Sequence, residues 1–198
     1  MPVVMHFATF LKLLTQDTGD KIRDLEKYGR PGGYDFWRPL RDGMDGLVGH
    51  GRLQSKVQAD IAANASANSK KRNLEVFDQA AEWFAKQAGT GFFPNRGVWK
   101  SPAGMFSVQI EPEIGLEKKN GQQLVAAIYG RAAPRIRRDQ AGAAIILLER
   151  TYKSNADIEF GILDAAAGKL HKAKSNVSEA LLEAETKFID EQLARVMA

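Results

Sequence analysis

The stretch from Met105 to Tyr129 constrains the fold more than any other part of the chain. Phe106, Val108 and Ile110 alternate with Ser107 and Gln109, the period of a strand with one buried face. Pro112 cannot donate a ladder hydrogen bond, so it marks a bulge or an edge. Ile114 and Leu116 resume the alternation. Lys119-Asn120-Gly121-Gln122 then supplies the chain's only Asn-Gly pair, which suits the positive φ angles of a tight hairpin turn. Leu124 to Tyr129 carries no charge and reads as a central return strand.

Most of the remaining sequence has helical spacing. Val3, Val4, Phe7, Phe10, Leu11 and Leu14 predict an amphipathic helix from the N-terminus. Asp17 is the expected N-cap of a second helix, with Asp20 as a partial capping box, Ile22, Leu25 and Tyr28 as its apolar face, and Gly29 to Gly33 as its breaker. Residues 52–67, rich in Ala, Asn and Ser, predict an exposed helix or a connector. Leu74, Phe77, Ala81 and Phe84 form a core stripe that Gly89-Thr90-Gly91 closes. Val98-Trp99-Lys100 is a short strand. After the hairpin, Pro134 fits near the first turn of a helix that runs to about Arg150. Asp157 to Asp164 is a further strand, with Lys169 to Lys172 placed to pair back. Ser175 caps a last helix whose apolar side is Val177, Leu181, Ala184 and Phe188.

The expected fold class is therefore α+β. A helical N-terminal region (1–68) precedes an α+β core (69–198), in two units or one continuous domain. The core is a small mixed sheet built on the 105–129 hairpin, flanked by helices in the order α-β-β-β-α-β-α.

Several chemistries lack their residues. There is no cysteine, hence no disulfide and no thiolate. The three histidines, His6, His50 and His171, are scattered without ligand spacing. No glycine-rich nucleotide loop and no Gly-x-Ser-x-Gly elbow occurs. No apolar run is long enough to span a bilayer, and the N-terminus has neither a basic leader nor a small-residue cleavage site. The expectation is a cytoplasmic protein with no membrane partner and no resident cofactor.

Two charged sets remain. Glu111, Glu113, Glu117, Lys118 and Lys119 crowd one hairpin arm, and Asp164 ends a later strand. Paired carboxylates beside a lysine can hold Mg²⁺ and steady a phosphodiester transition state. The same residues also suit an exposed arm that protects a sheet edge. The second set is cationic: Lys70, Lys71 and Arg72, then Lys118, then Arg131, Arg135, Arg137 and Arg138, in a chain of net charge +4. Convergence of these on one face predicts DNA or RNA binding. Between Tyr34 and Gly43, aromatic residues interleave with arginines. That segment reads either as a stacking surface for bases or as core anchors, with its arginines paired to Asp35 and Asp42. The apolar and aromatic content of the first 50 residues predicts a self-association surface and hence a homo-oligomer.

The order helix, two or three strands with an acidic bend, helix, strand resembles the core of restriction-endonuclease-like nucleases, the PD-(D/E)XK fold. Over residues 70–198, Val108-Gln-Ile-Glu-Pro-Glu, Ala127-Ile-Tyr and Ile162-Leu-Asp-Ala-Ala-Ala-Gly-Lys-Leu are similar to a bacterial group associated with that superfamily. The resemblance implies that Glu113 stands for the first acid, with Glu113 and Asp164 the metal-ligand candidates. The family's acid-x-lysine belongs on the next strand, which here is Gln123 to Tyr129 and has neither group. Glu117-Lys118-Lys119 spells the tripeptide but abuts the turn. The reading is a non-catalytic protein that binds a macromolecule, nucleic acid first. A Mg²⁺-dependent nuclease using Glu113, Glu117 and Lys119 is the alternative, and a self-associating interaction protein is the third.

Overall fold

The computed structural model describes residues 2–29, 35–152 and 157–197. Part of the expected breaker (residues 30–33) and Tyr34 lie outside the described residues. The chain opens on strand β1 (Val3–His6) and helices α1 (Phe7–Thr15) and α2 (Thr18–Glu26). Helices α3 (Arg38–Met44), α4 (Gln54–Asn64) and α5 (Ala67–Ala85) follow. Next come strands β2 (Thr90–Phe92), β3 (Gly97–Lys100), β4 (Phe106–Ile110), β5 (Ile114–Glu117) and β6 (Gln123–Tyr129). Helix α6 (Arg138–Tyr152), strands β7 (Ile158–Asp164) and β8 (Lys169–His171) and helix α7 (Asn176–Met197) complete it. The class is α+β, as the sequence implied.

The strands form two sheets. One has the order β1-β4-β3 and the other β2-β5-β6-β7-β8. The 105–129 stretch therefore does not make one hairpin in one sheet. Its first arm, β4, pairs with β1 and β3, while β5 and β6 pair in the larger sheet. The switch falls at Glu111-Pro112-Glu113, where proline removes a ladder donor and lets the chain leave one sheet for the other. The turn is longer than a two-residue hairpin. Glu117 pairs with Gln123. Lys118 N–H donates to Gln122 O, Gly121 has φ 79°, and the Asn120 side chain accepts from Gln122 N–H.

β6 is the central strand, buried on both faces. Val125, Ala127 and Tyr129 enter one core with Phe10, Phe106 and Ile162, while Ala126 and Ile128 enter the other with Met44, Ile61 and Phe77. The first core is covered by α1, α2, α6, α7 and the small sheet, and the second by α3, α4 and α5. β6 and β7 run parallel, so α6 is the crossover that parallel pairing demands.

Three further expectations are corrected. Val3 to His6 is a strand, paired in parallel with Phe106 to Gln109, and the helix begins only at Phe7. β-branched Val3 and Val4 suit a pleated edge, and they complete a side of β4 that would otherwise go unpaired. Thr90 to Phe92 is likewise a strand, against Glu117 to Gly115. In α7 the buried stripe is Leu182, Ile189 and Leu193, with Ser178, Thr186 and Asp190; of the expected side, Leu181 and Phe188 pack partly against the core, whereas Val177 is 61% exposed. Polar residues at buried positions disguised the period. Ser101 Oγ donates to Asp190 Oδ1 at 2.6 Å and Thr186 Oγ1 donates to Leu182 O at 2.8 Å.

The Asp17 cap is as expected, accepting from Asp20 N–H at 2.8 Å, and so is Ser175, which accepts from Ser178 N–H at 3.2 Å. The apolar side chains of the first 50 residues are mostly spent inside. Phe7, Phe10, Leu11, Leu14 and Leu25 lie in the first core, and Leu40, Met44 and Val48 in the second. Among the described residues no helix is long and apolar enough to cross a membrane.

Candidate functional site

β1 runs into α1 without a side-chain cap. His6 occupies the N-cap with extended backbone (φ −75°, ψ 153°) and makes no capping hydrogen bond. The first turn of α1 therefore keeps amide donors that no side chain takes, and the helix dipole adds a partial positive charge there. His6, Ala8 and Thr9 line a cavity of about 950 Å³. Lys12 of α1, Tyr28, the Asp35-Phe36-Trp37 approach to α3, Arg72 of α5 and Gly130-Arg131 beyond β6 line the rest of its described wall.

The aromatic wall is fixed from behind. Asn73, fully buried on α5, donates to Phe36 O at 2.9 Å and accepts from Leu40 N–H at 3.0 Å. Phe36 and Trp37 meet edge to face, with ring centroids 4.8 Å apart. The Trp37 ring lies directly over Gly130, where a Cβ would come within 2.7 Å of it. Of the Tyr34–Gly43 segment, the core-anchor reading holds for Leu40 and for the arginines. Leu40 is a core anchor, Arg41 pairs with Asp35 and Arg38 with Asp42, while Phe36 and Trp37 are half-buried on a cavity wall.

The polar wall is mostly cationic. Four cations, Lys12, Lys27, Arg72 and Arg131, face two carboxylates, Asp24 and Asp35. Lys12 and Lys27 both hold Asp24, each at 2.5 Å. Burial works against the Asp24 charge, but hydrogen bonds from the two lysines and from Gln16 outweigh it and keep the carboxyl well below the usual carboxylate range. Asp35 is likewise held low, its burial outweighed by Arg41 and His6. Arg72 is committed to the Gly130 carbonyl and to Glu75. Arg131 makes no ion pair among the described residues.

A second cluster lies behind Asp35. Arg41 pairs with Asp35 and, through Nε, with Glu111 at 3.2 Å, and Arg96 reaches Glu111 at 3.6 Å. Glu113 joins this group across Pro112, around a hollow of about 30 Å³ that also touches Phe93 and Pro94. Burial pushes the Glu113 carboxyl up to about 7, against the pull of Ile128 N–H at 2.9 Å and of Arg41. Tyr152 is raised by burial and by Glu111 and Glu113.

The residues singled out from sequence separate into distinct places. Glu113 sits inside this cluster, whereas Glu117 is exposed at the far end of β5, about 13 Å along a strand. Lys118 pairs with Glu159 at 3.1 Å, and Lys119 is exposed on the turn. Asp164 is opposite Tyr129 and accepts from Ala167 N–H at 3.2 Å, ending its own strand. Among the described residues, no three His, Asp or Glu side chains are grouped to hold a metal ion.

Of the cationic set, Arg72 and Arg131 meet at the cavity. Lys70 and Lys71 are exposed in the first turns of α5, Arg135 and Arg137 are exposed between β6 and α6, and Arg138 is exposed at the start of α6. Lys118 and Lys119 lie beyond the opposite end of β6, about 20 Å away along the sheet. Sequence reasoning missed Lys12, Asp24, Lys27 and Tyr28. Lys12 and Asp24 reach the cavity from different helices and have no shared local pattern. No family model, no curated protein and no solved structure matches the chain.

Proposed function

We propose that this protein binds nucleic acid, as a single strand or a strand end received in the cavity at the N-terminus of α1. The observation that carries the reading is the convergence on one cavity of half-buried Tyr28, Phe36 and Trp37 with Lys12, Lys27, Arg72 and Arg131. Aromatic faces stack bases of any sequence, and cations beside them take the backbone. Arg135, Arg137 and Arg138 follow Arg131 closely in sequence, are exposed and add to the positive charge available to a polyanion. The proposed role is binding without catalysis: Glu113, Glu117 and Lys119, the candidates for nuclease chemistry, lie apart from one another.

Fluorescence anisotropy with a labelled single-stranded oligonucleotide tests this. Binding at low salt should weaken as salt rises, with a log–log slope of about −0.7 per phosphate contacted. Trp37→Ala and Arg131→Ala should each weaken it. No binding at low salt would overturn the proposal.

A further inference from the structure

We infer that the cavity recognises a terminal phosphate monoester carried by a ring system, either a phosphorylated end of a single strand or a free nucleoside monophosphate. The inference rests on the nucleic-acid reading and narrows it.

Size is the first argument. A volume of about 950 Å³ matches a ligand of drug size, such as a nucleotide. It cannot enclose a duplex.

Charge is the second. An internal phosphodiester carries one negative charge, whereas a terminal monoester carries about −1.5 to −2 at neutral pH. The described wall presents four cations against two carboxylates, a net excess of two positive charges. Both carboxylates are held ionised by their own partners, so the excess persists at neutral pH.

Donor supply is the third. A monoester offers three acceptor oxygens, and each ammonium has three donors. Asp24 takes one hydrogen bond from Lys12 and one from Lys27, leaving donors on both. Arg131 has no carboxylate partner among the described residues, and it follows Gly130, on which the Trp37 ring rests. A phosphate at Arg131 and a ring on the Phe36–Trp37 wall are therefore compatible within one nucleotide. His6, Ala8 and Thr9 put the N-terminus of α1 on the same cavity wall, where the helix dipole favours an anion.

The test compares short single-stranded oligonucleotides of one sequence carrying a 5′-phosphate, a 3′-phosphate or neither, each labelled at an end that leaves its phosphate free. The full chain is titrated by anisotropy, with a nucleoside monophosphate and inorganic phosphate as competitors. A phosphorylated end should bind about tenfold tighter or more, as charge-assisted contacts predict. The nucleoside monophosphate should compete better than inorganic phosphate. Arg131→Ala should erase the preference for the phosphorylated end. So should Lys27→Gln, a rim change at a side chain 71% exposed, with Asp24 still held by Lys12 and Gln16.

Equal affinity for phosphorylated and unphosphorylated strands would overturn the inference while leaving nucleic-acid binding in place. Binding of the monophosphate, detected by tryptophan quenching, with no oligonucleotide bound would support the monoester site and overturn the macromolecular reading. No binding by any probe would overturn both.

Discussion

Arg72 donates twice to the carbonyl of Gly130, from Nε at 2.9 Å and from Nη2 at 2.6 Å. One guanidinium edge thereby ties α5 to the end of the central strand, where the cavity begins. The third nitrogen, Nη1, reaches Glu75 at 3.1 Å. Lysine would keep the charge but could not present two donors in one plane. Arg72→Lys should cost about 1 kcal/mol and Arg72→Ala about 1–3 kcal/mol, because the carbonyl then loses its partner. Urea denaturation measures both. Equal stability of all three proteins would mean that the clamp contributes nothing.

Glu113 gives the molecule a pH dependence of known sign. Its folded-state value near 7 lies above its ordinary 4.5, so the folded protein holds the proton more tightly than the unfolded chain. The associated stability is complete below about pH 4.5 and is lost as pH rises through about 7. The loss is on the order of 3 kcal/mol at most. Asp24 and Asp35 are shifted the other way, so their stability is present above the ordinary carboxylate range and lost in acid. The two windows are separate. Glu113→Gln keeps an acceptor for Ile128 N–H and removes the titration. Relative to wild type, the variant should gain stability between about pH 5 and pH 8, and parallel curves would refute the assignment.

Gly142 is a case where intrinsic propensity and packing disagree. In an exposed helix interior, Gly→Ala stabilises by about 1 kcal/mol. Here a Cβ would stand 2.8 Å from Ser178 Cβ and 3.1 Å from Ala173 O, where α6 meets the start of α7. Gly142→Ala should therefore destabilise, by about 1–3 kcal/mol. A thermal melt that moved upward would show that α7 yields more easily than this packing implies.

Asn73 holds the aromatic wall through three hydrogen bonds, to Phe36 O, Ser69 O and Leu40 N–H. Asn73→Ala leaves a buried carbonyl and a buried amide without their partner, at a cost of about 2–4 kcal/mol. The effect should be local as well as global. In a variant whose only tryptophan is Trp37, emission should shift to the red as the ring gains water. An unchanged spectrum would place the support of Trp37 elsewhere.

How much of this was legible in the sequence depended on the range of the signal. Local signals read through. The Asp17 and Ser175 caps, the alternation of β4, the uncharged β6 and the strand from Ile158 to Asp164 each depend on neighbours a few residues away. Signals of two kinds failed. Where polar residues are buried, as at Ser178, Thr186 and Asp190, the hydrophobic period alone placed the buried stripe of α7 off centre, so that of the expected side only Leu181 and Phe188 pack against the core. Where a strand finds a distant partner, as β1 does with β4 a hundred residues on, the apolar spacing of Val3 and Val4 was absorbed into the helix that follows. The candidate site was legible only in fragments. Arg72, Arg131 and the 34–43 aromatics stood out as types, while Lys12, Lys27 and Asp24 did not.

The sequence by itself determined the class of the fold, its central strand, the caps of α2 and α7 and the absence of thiol chemistry, because these follow from period, turn residues and composition. Only the tertiary structure decided that Pro112 would pass the chain from one sheet to another. The same passage brought Glu113 into contact with Ile128. Only the tertiary structure brought Lys12, Lys27, Trp37 and Arg131 around one cavity. A site assembled from α1, α2, the approach to α3, α5 and the end of β6 has no local pattern. Its electrostatics depend on distances through space that the order of residues does not encode.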